Sequence, residues 1–189
     1  MSIAWGVTGG GHFLQECVDL VRELGEAEFG GAAKMAAVRV DVFLSLAGEE
    51  VLRMYGLADA VHRSARAVVR DNMSSAPVVG RFAQPDRYRA LVIAPATSNT
   101  VAKFVLGISD SLITNLFAQA GKNRVPTLVL PTDLAPEMDT VTPSGRTIKV
   151  YPREVDLENT ARLREFPNVA VVEDLEGLRC RLQGLDTCS

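Results

Sequence analysis

The chain has 189 residues, 47% of them hydrophobic and 23% charged, with a formal net charge of −3. These totals fit one soluble domain with a core large enough to fold unaided, and they supply no global positive field to attract nucleic acid or anionic lipid. Cys17, Cys180 and Cys188 are odd in number, far apart and without C-x-x-C spacing, which argues against a disulfide framework, an iron–sulfur cluster or a metal site.

In chain order, Ile3–Val7 reads as a short buried strand that ends at Thr8-Gly9-Gly10-Gly11. With no basic segment leading a long apolar stretch, the start of the chain predicts neither a signal peptide nor a membrane span, and the protein is expected in the cytoplasm. A helix follows the glycines, because Cys17, Leu20, Val21 and Leu24 recur at i, i+3, i+4 and i+7. Val38–Leu46 reads as the second strand with Ser45 near its carboxyl end, then Glu49–Tyr55 as a short helix. Between Gly56 and Asp86 the pattern weakens to a short strand at Ala67–Val69 and an irregular loop at Asn72–Pro77. Leu91–Ala94 is a clear buried strand that stops at Pro95, followed by helices over Asn99–Val105 and Ser111–Ala120, the second capped by Asp110. Thr127–Leu130 is the next strand and ends at Pro131-Thr132-Asp133. Residues 134–147, rich in Pro, Thr and Asp, read as a long loop or flap. Residues 148–189 extend the same domain, with strands at Ile148–Tyr151 and Val169–Val172 and helices at Leu157–Arg164 and Asp174–Leu185. Strands alternating with helices predict an α/β fold, a doubly wound, Rossmann-like parallel sheet in a single domain over residues 1–189.

In such a sheet, ligands bind outside the carboxyl ends of the strands where strand order reverses. Four of the expected strand ends carry small polar residues: Thr8-Gly9-Gly10-Gly11-His12, Ser45, Pro95-Ala96-Thr97-Ser98-Asn99-Thr100 and Pro131-Thr132-Asp133. A glycine turn before a helix leaves backbone N–H groups uncovered and attracts an anion, typically phosphate; a tight turn without ligand is the simpler alternative. Leu14 stands where G-x-G-x-x-G needs its last glycine, and no Gly-Lys-Ser/Thr follows, which favours a monophosphate over a pyrophosphate or ATP. The short residues Ala96 to Thr100 leave room for a flat ring and supply donors and acceptors, while a helix cap at Ser98 or Asn99 explains the same residues without a ligand.

Ala94-Pro95-Ala96-Thr97-Ser98-Asn99-Thr100-Val101-Ala102-Lys103 resembles the P-A-S-A-N-T segment of the homo-oligomeric flavin-containing cysteine decarboxylase superfamily. Ala4-Trp5-Gly6-Val7-Thr8-Gly9-Gly10-Gly11-His12, Gly80-Arg81-Phe82 and Gly107-Ile108-Ser109-Asp110-Ser111-Leu112 resemble one branch of it, the archaeoflavoproteins and the FMN-dependent dihydromethanopterin reductases. The resemblance implies non-covalent FMN, with phosphate on Gly9, Gly10 and Gly11 near Ser45, the ribityl chain and ring against Thr97, Ser98, Asn99 and Thr100, and the pyrimidine edge near Thr132. It also implies a homo-oligomer built from trimers. Two departures matter. The decarboxylases have P-x-M-N where this chain has Pro131-Thr132-Asp133-Leu134, and Asp133 would repel a substrate carboxylate. Archaeoflavoprotein relatives carry a cysteine-rich cluster segment, whereas Thr147–Glu165 contains no cysteine.

The expected function is therefore reduction of dihydromethanopterin, a dihydropterin, by hydride from reduced FMN, with electrons from NAD(P)H or a redox protein. Asp133, His12 and Tyr151 are candidate proton donors, although His12 beside a phosphate more simply contacts it. An FMN-bound electron carrier and a decarboxylase are the alternatives. Trp5 and Cys17 read as core, His62 as surface, and Arg63, Arg66, Arg70, Arg81, Arg87 and Arg89 either as a solvated or subunit-facing surface or as an attractor for an anionic substrate tail.

Overall fold

Six parallel strands form the frame of the computed structural model, which describes residues 2–26, 38–72, 80–84 and 87–185. In chain order they are β1 (Ser2–Val7), β2 (Arg39–Leu44), β3 (Ala67–Arg70), β4 (Ala90–Ala96), β5 (Thr127–Pro131) and, after a separate hairpin β6 (Met138–Val141) and β7 (Thr147–Val150), β8 (Val169–Val171). The helices are α1 (Leu14–Glu26), α2 (Leu46–Met54), α3 (Ala58–Ser64), α4 (Ser98–Leu106), α5 (Leu112–Lys122), α6 (Glu154–Leu163) and α7 (Leu175–Gly184). The sheet order β3-β2-β1-β4-β5-β8 reverses direction between β1 and β4, so the expected Rossmann-like fold is the one observed.

Alternation along the strands builds two cores. Ile3, Trp5, Val7, Val40 and Val42 face one side with Cys17, Leu20 and Val21 of α1. Ala4, Phe43, Leu91, Ile93 and Val129 face the other with Val101 of α4 and Leu112 and Leu116 of α5. Each fully buried aliphatic side chain contributes about 1.5–3 kcal/mol, and the strands are hydrophobic on both faces because helices cover both.

Several boundaries differ from expectation for identifiable reasons. β4 runs through Pro95 to Ala96 instead of stopping before it. A central strand tolerates this proline because the register with β5 shifts between Ile93 and Ala96, so no ladder bond needs its missing N–H. α2 begins at Leu46 because Ser45 caps it, accepting a bond from Gly48 N at 2.9 Å. Thr97, not Ser98 or Asn99, caps α4, and Ser111, not Asp110, caps α5 in a reciprocal box with Thr114. Asp110 instead pairs with Lys103 at 2.7 Å. α4 ends on Gly107 at φ 70°, with Ile108 N donating to Lys103 O at 2.8 Å, a left-handed stop that glycine permits. α6 starts at Glu154, earlier than expected, because Asp156 bonds back to Arg153 N at 3.1 Å. α3 is a helix that the sequence pattern did not predict. The expected loop at 134–147 contains β6, which pairs antiparallel with β7, the strand expected at Ile148–Tyr151 and observed at Thr147–Val150. The loop expected at Asn72–Pro77 lies outside the described residues from position 73 onward, as does Cys188. No helix among the described residues is long and apolar enough to cross a membrane.

Candidate functional site

The crevice lies between the carboxyl ends of β1 and β4, and side chains from both strands stitch it together. Thr8 donates its hydroxyl to Pro95 O at 2.8 Å and accepts Thr97 N at 2.9 Å. Thr132 N donates to Ala96 O at 2.8 Å, and Ser45 N to Val7 O at 3.1 Å. All four polar strand ends singled out in the sequence therefore share one edge of the sheet. Trp5 is fully buried and its indole N–H binds Ala94 O at 2.8 Å, which makes it core.

The glycine turn sits between three walls. A Cβ on Gly9 would come within 2.7 Å of Ala47 Cβ, one on Gly10 within 2.5 Å of Thr132 Cγ2, and one on Gly11 would overlap the Tyr55 hydroxyl. Glycine is required there by close approach of three elements. Phe13 follows with φ 64°, a left-handed backbone that costs a bulky residue energy and is typical of functional turns. Leu14 N returns to Gly11 O at 3.2 Å. Among the described residues, the N–H groups of Gly9, Gly10, Gly11 and His12 donate to no protein acceptor, although Gly10 is buried. Buried donors are almost always paired, so this set fits an anion supplied from outside the chain, such as the single phosphate of FMN.

The start of α4 divides the expected contacts into two groups. Thr97 and Thr100 are occupied with each other, Oγ1 to Oγ1 at 3.0 Å, and Thr100 is buried. Ala96 is also buried. With Thr8 and Ser45 these residues frame the crevice. Ser98 and Asn99 keep side chains and N–H groups without a protein partner among the described residues; the open N–H groups are common to helix starts, and the open side chains beside them leave this turn able to take a ligand. Thr132 holds its neighbour, Oγ1 to Asp133 Oδ2 at 2.9 Å.

His12 is half-buried and rests on Phe13, ring centroids 3.9 Å apart. Burial lowers its pKa, against smaller upward pulls from the Glu16 and Asp133 carboxylates, so the imidazole stays neutral near pH 7. Asp133 also favours the charged form of Arg153, after the larger effect of the Asp156 carboxylate. The edge thus gathers His12, Asp133 and Arg153, while Tyr151 is 67% exposed. Cys17 is buried, and burial, then Glu16, pushes its thiol well above the ordinary range, which keeps it inert.

The arginine cluster does not converge on this edge. Arg66 pairs with the fully buried Asp41, whose carboxylate also accepts Tyr88 Oη at 2.6 Å and lies 3.8 Å from Arg87. Burial works to raise the Asp41 pKa, but the bonds from Arg66 and Tyr88 override it and hold the carboxyl below its usual range. Arg70 pairs with Glu49 at 3.1 Å and contacts His62 at 3.2 Å. A cavity of about 300 Å³ between α4, α5 and residues 166–169 is lined by Phe104, Phe117 and Phe166 and by none of the expected site residues. Ala47, Phe13 and Tyr55 are site-building residues that the sequence did not reveal. Their signal is the three-dimensional approach of α2 to the glycine turn, which no local motif encodes.

A family model described as Flavoprotein matches residues 1–188. Dihydromethanopterin reductase (acceptor) of Methanosarcina mazei is 45% identical over 172 residues, 87% of this chain and 65% of that protein; the chain thus spans a little under two thirds of that reductase. The FMN complex of Burkholderia xenovorans DmrB, a cubic protein cage for redox transfer, has a TM-score of 0.80 at 38% identity, covering 98% of this chain and 96% of that one. A dodecameric FMN-dependent UbiX-like decarboxylase from Escherichia coli O157:H7 shares the fold alone, with a TM-score of 0.68 at 17% identity over 92% of this chain and 79% of that one. From its first residue to its penultimate one, the chain is a member of the Flavoprotein family, on the branch that holds the dihydromethanopterin reductases.

Proposed function

We propose that this chain is an FMN-dependent oxidoreductase that reduces dihydromethanopterin to tetrahydromethanopterin. The observation that carries the reading is the donor set at the switch point: N–H groups of Gly9 to His12 and of Ser98 and Asn99, without protein acceptors, meeting in one crevice. The phosphate belongs on Gly9, Gly10 and Gly11 beside the Ser45-capped start of α2, the ribityl chain and ring against Ser98 and Asn99, and the pyrimidine edge near Thr132. Thr8, Ala96, Thr97 and Thr100 position these groups from behind. The likeness to the Methanosarcina mazei reductase and to the FMN complex of DmrB supports the same substrate and cofactor.

Bound FMN supplies hydride transfer to a C=N bond of the dihydropterin. The chain's own task is to orient the two rings, exclude water and deliver a proton to the pterin nitrogen. His12, as a neutral imidazole, and Asp133 stand at the crevice to orient and relay a proton from water for that step; Tyr151 serves only where substrate or another copy covers it. Asp133 disfavours a carboxylate at the same place, which speaks against decarboxylation. NAD(P)H or a redox protein supplies the electrons. A cytoplasmic homo-oligomer built from trimers completes the proposal, consistent with the cage formed by DmrB. Anaerobic mixing of the reduced protein with dihydromethanopterin tests it: the flavin absorbance returns as the pterin is consumed. No return with the pterin, but rapid return with protein acceptors, would replace the reductase with an electron carrier.

A further inference from the structure

Tyr55 ends α2, and its phenol reaches two places at the edge of the crevice. It lies so close to Gly11 that a Cβ there would overlap the hydroxyl, with ring Cζ at 2.8 Å. The same hydroxyl donates to Val141 O at 2.7 Å, at the end of β6 next to the hairpin turn. The hairpin leaves the sheet after Asp133, beside β5, and its tip is tied to α2 on the far side of the glycine turn. Tyr55 and the Val141 carbonyl therefore bridge that flank.

The geometry points to Tyr55 as the residue that limits this site to a mononucleotide, a role that rests on the FMN reading above. A dinucleotide such as FAD carries a second phosphate and an adenosine beyond the first phosphate, and that extension must leave the turn past one of its flanks. Ala47 backs Gly9, which is itself exposed, and Thr132 backs the buried Gly10. Both belong to the segments that make the crevice. The Gly11 side is closed by one phenol pinned to a carbonyl of an otherwise separate hairpin. Selectivity here is a clash built against the larger ligand, added to the attraction for the smaller one. Sequence spacing already disfavoured a pyrophosphate; Tyr55 supplies a physical barrier to one.

The test titrates riboflavin, FMN and FAD into wild type, Tyr55→Ala and Tyr55→Phe by flavin fluorescence, with thermal unfolding and gel filtration as folding controls. Wild type prefers FMN over FAD by roughly a hundredfold or more, and Tyr55→Ala narrows that ratio by about tenfold, chiefly through tighter FAD, with riboflavin changed less than about twofold. Tyr55→Phe loses the tie to Val141 but keeps the ring, and narrows the ratio by about threefold. An unchanged ratio in Tyr55→Ala overturns the inference, as does an equal loss of all three ligands. Should Tyr55→Ala fail to fold, an unchanged ratio in Tyr55→Phe overturns it instead. Wild type that binds FMN and FAD equally overturns this inference and leaves the flavin reading standing; wild type that binds none of the three overturns the reading beneath it.

Discussion

The start of α5, and the adjoining starts at the glycine turn and α4, lie at the carboxyl edge of the same sheet and are finished in opposite ways. At α5, Ser111 and Thr114 cap each other, and Leu112 N is taken by the Asp71 carboxylate at 2.9 Å, itself anchored by Asp71 N on Leu44 O. Of its first-turn N–H groups only that of Ile113 is left without a protein acceptor among the described residues, and Ile113 is itself buried. At the glycine turn and at α4, hydroxyls of Thr8 and Thr97 hold the strands and the cap, and the remaining first-turn N–H groups face the crevice without protein acceptors among the described residues. All three starts have the same intrinsic attraction for negative charge. The first is neutralised from within the fold and the other two are kept open, and that difference marks the site more clearly than the presence of a helix end.

Damage to the open starts should show first in ligand binding. Gly10→Ala, whose new Cβ meets Thr132 at 2.5 Å, is the severest: it costs about 1–3 kcal/mol of stability through overpacking and weakens FMN by roughly tenfold or more, measured by thermal unfolding and flavin titration. Ser98→Ala combined with Asn99→Ala removes two neutral side-chain partners, worth about 0.5–1.5 kcal/mol each, and weakens FMN with little change in melting temperature. Damage to the closed start should show the reverse. Ser111→Ala costs about 1 kcal/mol of stability through loss of the cap and leaves FMN affinity unchanged. An equal effect of Ser111→Ala on FMN would erase the distinction between closed and open starts.

The smallest effect is a pH slope. His12 has its pKa lowered in the fold by burial, so the unfolded chain binds more protons between that value and the ordinary 6.5. Stability of the flavin-free protein therefore falls as pH drops below 6.5 through the folded value. Denaturant titrations across that range should show this slope in wild type and a flatter one in His12→Gln.

Most strands were legible because runs such as Leu91–Ala94 are apolar on both faces, as buried parallel strands must be. Of the hairpin only β7 was legible, as the strand at Ile148–Tyr151; β6 lies at the surface with Val141 52% exposed, and its Asp and Thr residues read as loop. α3 was missed because its seven residues bury only Val61. At the site, the glycine turn and Ala96 to Thr100 stood out as local clusters. Which of them frame and which stay open depends on contacts such as Thr8 with Thr97, separated by 89 positions, and no local pattern records that. In sequence the arginines read either as a solvated or subunit-facing surface or as an anion attractor; two of them are claimed by Asp41, an acid buried in the middle of β2.

The most direct measurement is a comparison of FMN with riboflavin on the purified protein. Charge-assisted bonds from the glycine turn to phosphate are worth about 1.5–3 kcal/mol each, so FMN should bind at least roughly a hundredfold more tightly than riboflavin and give a yellow protein. Equal affinity for the two, or a protein that stays colourless with FMN in excess, would contradict the account.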